Sequence, residues 1–457
     1  IQADFIGDFV GGIMIAAADI VIDDATTDGK VTSFSAGGDV VNADLPPEGN
    51  GGDSTSVALL ASNNITINAP ISAFGNVIIN ADANLTEVLN WPAPISSTAA
   101  GVAADGAGDV RINSGVADTA GFDGAVDITA GGAIEIAGAN ITITDGGGAQ
   151  AINITSAADL DRSDGGDDYH TPLAITLLAI ENITINNANT TLDAGGNFQA
   201  TADFNFDAVS NPEFLAIPEA ASDANGTYSS NGVVNATGDI HINAPVVVSG
   251  SAKTTGGAIH IESSIGDLTV NDNATLLAEA IDSGNGGKAS ANAHGIPLWS
   301  IGHYGKVGGN NLAVVELDAA NDLILGSVDS PVTISADQAG DMVVATGVVA
   351  LGAVNGMTLN LDIADGDALN VQIGDTDAAQ TGLTTPAGIA QHTDGTINAG
   401  DTVNALTGDI DVDMNNTAAS TWIQSGDAQM VANALDINSE VDIDNPADIQ
   451  ILGQGIT

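Results

Sequence analysis

The chain has 457 residues, with 59 Asp or Glu against 6 Lys or Arg, a formal charge of −53, 44% apolar residues, 3% aromatics, 56 Gly and no Cys. So few cations exclude a nucleic-acid partner, because neutralising phosphates takes Lys and Arg. The absence of Cys excludes disulfide staples, thiol chemistry and Cys-based metal sites.

In chain order, the first segment is Ile1–Ile22, IQADFIGDFVGGIMIAAADIVI, apolar and strand-like. Its longest apolar run holds Asp19 and falls short of the roughly 20 residues that span a bilayer, so no membrane-spanning segment is expected. Ile1 opens without a basic n-region, as expected for a processed mature chain. Short runs of β-branched residues alternating with polar ones follow: Asn63–Phe74 (NNITINAPISAF), Asp109–Asn113, Ala125–Thr129, Ala133–Ala137, Asn140–Thr144, Ala151–Thr155 and Thr190–Ala194. The series continues with Gly238–Gly250 (GDIHINAPVVVSG), Ala258–Glu262 (AIHIE) and Leu268–Asn271. Period-two alternation bounded by Gly, Asn, Asp and Ser predicts strands. Apolar residues never hold helical spacing for long, and Gly is too dense for helix interiors.

Many strands without helices leave either antiparallel sandwiches or a solenoid whose coils stack. The phrase Asn-Ala-Pro turns a strand at residues 68–70 and again at 243–245. A sandwich gives no reason for the same corner to return, whereas a solenoid piles like residues into ladders. The fold class expected is therefore all-β, a parallel β-helix (β-solenoid) of about 20 to 25 residues per coil. Loop insertions interrupt it at Pro92–Gly108, Ala157–Pro172, Phe206–Gly232 and Gly284–Asn311. The domain reading is 1–30 as an apolar cap or joining segment, 31–312 as the solenoid, and 313–457 as divergent coils or a separate β-sandwich.

Candidate sites are few. Asp159, Asp161, Asp164, Asp167 and Asp168 form the densest acidic cluster. It reads either as a solvated loop or as a Ca²⁺ site, because Ca²⁺ takes about six to eight oxygen ligands in flexible geometry. The weaker groups Asp362/Asp365/Asp367 and Asp436/Asp442/Asp444 carry the same two readings. His241 and His260 each sit between two isoleucines, so both are expected to face solvent, without a second His at metal-ligand spacing. His294, Trp299, His303, Tyr304 and Lys306 cluster in the fourth insertion, and packing on the coil edge accounts for them better than catalysis. The apolar residues Phe5, Phe9, Ile13, Ile15, Ile20 and Ile22 are candidates for subunit joining. They either cap their own first coil or lie along the next subunit, since an open strand edge templates pairing.

The phrases NITINAPI, GDIHINAPVVVSG and NITINNANTTLDAGG, within Asn63–Leu277, resemble the repeats of filamentous-haemagglutinin-type surface proteins, the exoproteins of two-partner secretion. The resemblance implies a right-handed parallel β-helix and a secreted, surface-exposed structural or adhesive role. The function expected is thus that of a non-enzymatic extracellular protein on the cell surface, subunit of a filament that joins head to tail with copies of itself. Two alternatives stand beside it: an adhesin that binds a host or carbohydrate partner through inserted loops, and a β-helix polysaccharide lyase or hydrolase.

Overall fold

The computed structural model describes residues 6–9, 13–22, 33–36, 55–81, 108–114, 125–145, 150–157, 173–203, 226–254, 258–281, 314–327, 330, 332–339, 347–353, 356–359, 361–363, 369–373, 396–399, 403–414, 421–424 and 430–439. The chain divides into two compact units, Ile1–Thr237 and Gly238–Thr457. Each is a right-handed parallel β-helix in which successive strands turn through three faces and every third strand stacks on the one before, except that among the described residues from Leu369 on two strands per coil stack.

In the first unit, the first sheet runs Ile6–Phe9, Ser33–Ala36, Ile71–Ala73, Val126–Ala130, Ile152–Ser156, Thr190–Ala194 and Val233–Ala236. The second runs Ile13–Ala17, Thr55–Ala61, Asn76–Asn80, Ile134–Gly138, Leu173–Ala179 and Asn197–Thr201. The third runs Ile20–Ile22, Ile65–Ile67, Val110–Ser114, Ile141–Asp145, Ile183–Ile185 and Thr227–Ser230. Pairing is parallel and residue-for-residue, so one apolar position is repeated up the axis. Ile65, Val110, Ile141, Ile183 and Tyr228 make such a ladder, every member fully buried. On the first sheet Ile71, Ile128, Ile154, Leu192 and Val234 do the same. β-Branched side chains suit these stacks because their stiff χ1 packs directly on the identical neighbour.

Corners are held by a second ladder. The Asp109 amide donates to Asn64 Oδ1 at 3.1 Å and Asn140 Nδ2 to Asp109 Oδ1 at 3.1 Å. Asn182 Nδ2 donates to Asn140 Oδ1 at 3.0 Å, and the Thr227 amide to Asn182 Oδ1 at 3.0 Å. Each side-chain amide thus satisfies backbone or side-chain groups of the next coil, which turn residues would otherwise leave unpaired. The asparagine of the NIT phrase is the recurring unit of this ladder.

In the second unit, the second sheet comprises Ile240–Ala244, Ala258–Ser263, Val314–Ala319, Gly347–Ala353, Leu369–Ile373, Val403–Met414 and Met430–Ser439. The third comprises Val246–Ser249, Leu268–Val270, Asp322–Leu325, Gly356–Leu359, Thr396–Ala399 and Thr421–Gln424; the first comprises Ser251–Thr254, Thr275–Ile281, Val332–Ala339 and Leu361–Ile363. Beyond residue 313 the described strands still pair in parallel, coil on coil.

Two expectations are corrected. Coil length is not uniform at about 20 to 25 residues: stacked strand partners lie from 19 to 58 residues apart, since insertions lengthen most coils without moving their strands. Nor does the outer side of the second sheet face solvent as alternation suggests. In the first unit Ala58, Leu60 and Ile78 form a buried cluster there with Met14 against it, and Glu135, Gln199 and Thr201 are buried as well.

Candidate metal centre

On the second sheet of the second unit this burial acquires chemical content. Strands Ile240–Ala244, Ala258–Ser263 and Val314–Ala319 stack in register. Ile240, Ile259 and Val315 form one inward rung, and Ile242, Ile261 and Leu317 another, all within the core. The alternate positions point to the opposite side of the sheet. They hold His241, His260 and Glu316 in one rung, and Asn243, Glu262 and Asp318 in the next. Four of these six are more than nine-tenths buried and carry ionisable groups: His241 is 3% exposed, His260 6%, Glu316 3% and Asp318 1%.

His260 Nε2 lies 3.5 Å from Asp318 Oδ2. One ligating atom each of His260, Glu316 and Asp318 lies within 4.8 Å of the other two. The His241 ring meets that of His260 edge to face, with centroids 5.7 Å apart, and neither of its nitrogens has a hydrogen-bond partner. Asn243 Nδ2 approaches Glu262 Oε2 at 3.4 Å, bracing the neighbouring rung.

The two imidazoles respond oppositely to one environment. Burial, followed by the charge on His260, pushes His241 down to about 3, so it is neutral at physiological pH. Burial would lower His260 as well, but contact with Asp318 and the negative charges of Glu316 and Glu262 outweigh it and hold His260 up at about 9. The site therefore offers one neutral imidazole, one imidazolium and two carboxyl groups shielded from water. A buried charge is costly unless it is paired or coordinates a metal.

The expectation that His241 and His260 face solvent, without a second His nearby, is thus overturned. Their side chains leave the core side of the strand, yet both are buried, and the 19-residue coil between them brings one ring against the other. The repeated phrase Ile-His-Ile, at 240–242 and 259–261, was the sequence signal for this meeting. Glu316 and Asp318 lay hidden in VVELDA, because only the register places them opposite His260 and Glu262. The Asp159, Asp161, Asp164, Asp167 and Asp168 cluster lies outside the described residues, as do Phe5, His294, Trp299, His303, Tyr304 and Lys306. Phe9 ends a strand of the first coil, Ile20 and Ile22 are buried beneath the third sheet, and Ile13 and Ile15 are half-buried. Arg111 forms an exposed ion pair at 2.7 Å with Asp109, two residues before it at the corner that precedes its strand, which contributes little to stability.

The fold places the molecule in the class of parallel β-helix proteins. The chain matches no protein-family model, no curated protein and no solved structure. Among the described residues, no helix is long and apolar enough to cross a membrane.

Proposed function

We propose that the chain is a secreted, non-enzymatic structural protein of the cell surface whose β-helix joins copies of itself into a filament. The observation that carries this reading is the rim of the first coil. Ile13 and Ile15 occupy the ladder positions filled in the next coil by Val57 and Leu59, both fully buried. Ile13 and Ile15 are only half-buried. Among the described residues, the strands Ile6–Phe9, Ile13–Ala17 and Ile20–Ile22 pair along one edge alone. An apolar rim with unpaired strand edges takes one further coil of the same kind, and where a second copy supplies that coil the contact repeats without closing. The resemblance of the NIT and Asn-Ala-Pro phrases to filamentous-haemagglutinin repeats supports the same role.

Negative-stain microscopy of the purified protein is expected to show fibres that lengthen with concentration. The double substitution Ile13→Asp/Ile15→Asp should leave the circular dichroism of the coils in place and abolish the fibres. Uniform single particles at high concentration, or fibres indifferent to the double substitution, would remove the basis for the proposal.

A further inference from the structure

We propose that His260, Glu316 and Asp318 bind a divalent first-row transition cation of the Zn²⁺ class, and that the neighbouring His241, whose nitrogens lie outside that 4.8 Å group, turns in as a fourth donor. The donor set is that of a transition-metal site: imidazole and carboxylate together suit Zn²⁺, Fe²⁺ and Ni²⁺, whereas Ca²⁺ and Mg²⁺ take oxygen alone. Metal–ligand bonds of about 2.0–2.2 Å in tetrahedral geometry set neighbouring donor atoms about 3.4 Å apart. The 3.5 Å between His260 Nε2 and Asp318 Oδ2 is already that spacing, and the Glu316 oxygen lies within 4.8 Å of both.

A second observation points to a ligand independently of the carboxyl groups. His241 is buried, and both its ring nitrogens lack a hydrogen-bond partner while the ring abuts His260. A buried polar group left unsatisfied costs about 1–3 kcal/mol, and coordination removes that cost. A cation bound here also offsets the charge of two buried carboxylates, which a single imidazolium does in part. Binding exchanges a proton for the metal: the imidazolium of His260 releases H⁺ to solvent as its nitrogen lone pair takes up M²⁺. No electron transfer is involved. The cation would cross-link the strands Ala258–Ser263 and Val314–Ala319, one coil apart.

The test uses the full chain, stripped with chelator and titrated with Zn²⁺ in excess Mg²⁺, which occupies the surface carboxylates. Zn²⁺ is supplied both to the folded protein and during refolding, because the site is closed to solvent. One equivalent is expected to bind, with a rise in melting temperature, and Co²⁺ in its place should give the visible absorption of a four-coordinate His/carboxylate site. The near-isosteric Glu316→Gln and Asp318→Asn should each weaken Zn²⁺ affinity at least about tenfold while the metal-free protein stays folded. His241→Phe should weaken it as well and change the Co²⁺ spectrum. Absence of a stoichiometric equivalent under both loading conditions overturns the proposal. So does an equivalent whose affinity none of the three substitutions alters.

Discussion

At the scale of single residues, the core tolerates few polar atoms. Tyr228 tops the Ile65–Ile183 ladder and is fully buried, and among the described residues its hydroxyl forms no well-aligned hydrogen bond, only a weak interaction with the Ser230 side chain. Burial pushes its phenol up to about 12, against a smaller opposing pull from Ser230. Tyr228→Phe removes the strained group and keeps the ring, so it should stabilise the first unit by about 1 kcal/mol at neutral pH. Above pH 10 the two proteins should diverge further. An unfolded tyrosine releases its proton near pH 10 and the buried one near 12, so the unfolded state binds fewer protons across that interval and wild-type stability falls through it. Denaturant titrations at pH 8 and pH 11 check both statements; a Phe variant that is less stable at both would show that the hydroxyl has a favourable partner after all.

At the scale of the element, stacking is governed by how closely one coil can approach the next. A Cβ at Gly108 would lie 1.7 Å from the Ala81 carbonyl oxygen and 2.0 Å from that of Asn63, both backbone. Gly108 also accepts a 2.6 Å hydrogen bond from the Ala139 amide, so it sits between two coils with no room to shift. Gly108→Ala should therefore cost at least about 3 kcal/mol, beyond ordinary overpacking. At Gly138 the nearest atom to an added Cβ is at 3.0 Å, and Gly138→Ala should cost markedly less. Equal midpoints for the two variants in urea would contradict the close-approach account.

The strands themselves were legible from alternation, displaced by one residue. Asp109–Asn113 and Asn140–Thr144 are the predicted runs; Val110–Ser114 and Ile141–Asp145 are the strands. The leading Asp or Asn belongs to the corner, where its side chain joins the amide ladder. Coil length was not legible, because insertions of differing size separate strands that stack. The candidate metal centre was hidden for a related reason: alternation says which side of a strand His260 leaves, not whether that side is covered. Only register places Glu316 beside it. Once the coil length is known, the second Ile-His-Ile phrase points straight to the site.

At the scale of the whole molecule the dominant quantity is the charge of −53. Like charge on every copy opposes association, while Ile13 and Ile15 are apolar. The field still opposes joining, since each added copy brings its own negative charge. Raising ionic strength from about 0.01 M to 0.15 M shortens the Debye length from about 30 Å to 8 Å, which weakens repulsion between copies and leaves contact between apolar rims intact. Growth of the proposed filament, followed by light scattering, should accordingly speed up with NaCl, and the critical concentration should fall. Sodium sulfate at equal ionic strength should act more strongly, because it also strengthens apolar burial. If salt instead dissolves the filaments, the joining contact is an ion pair, and the apolar rim at Ile13 and Ile15 is not where one copy meets the next.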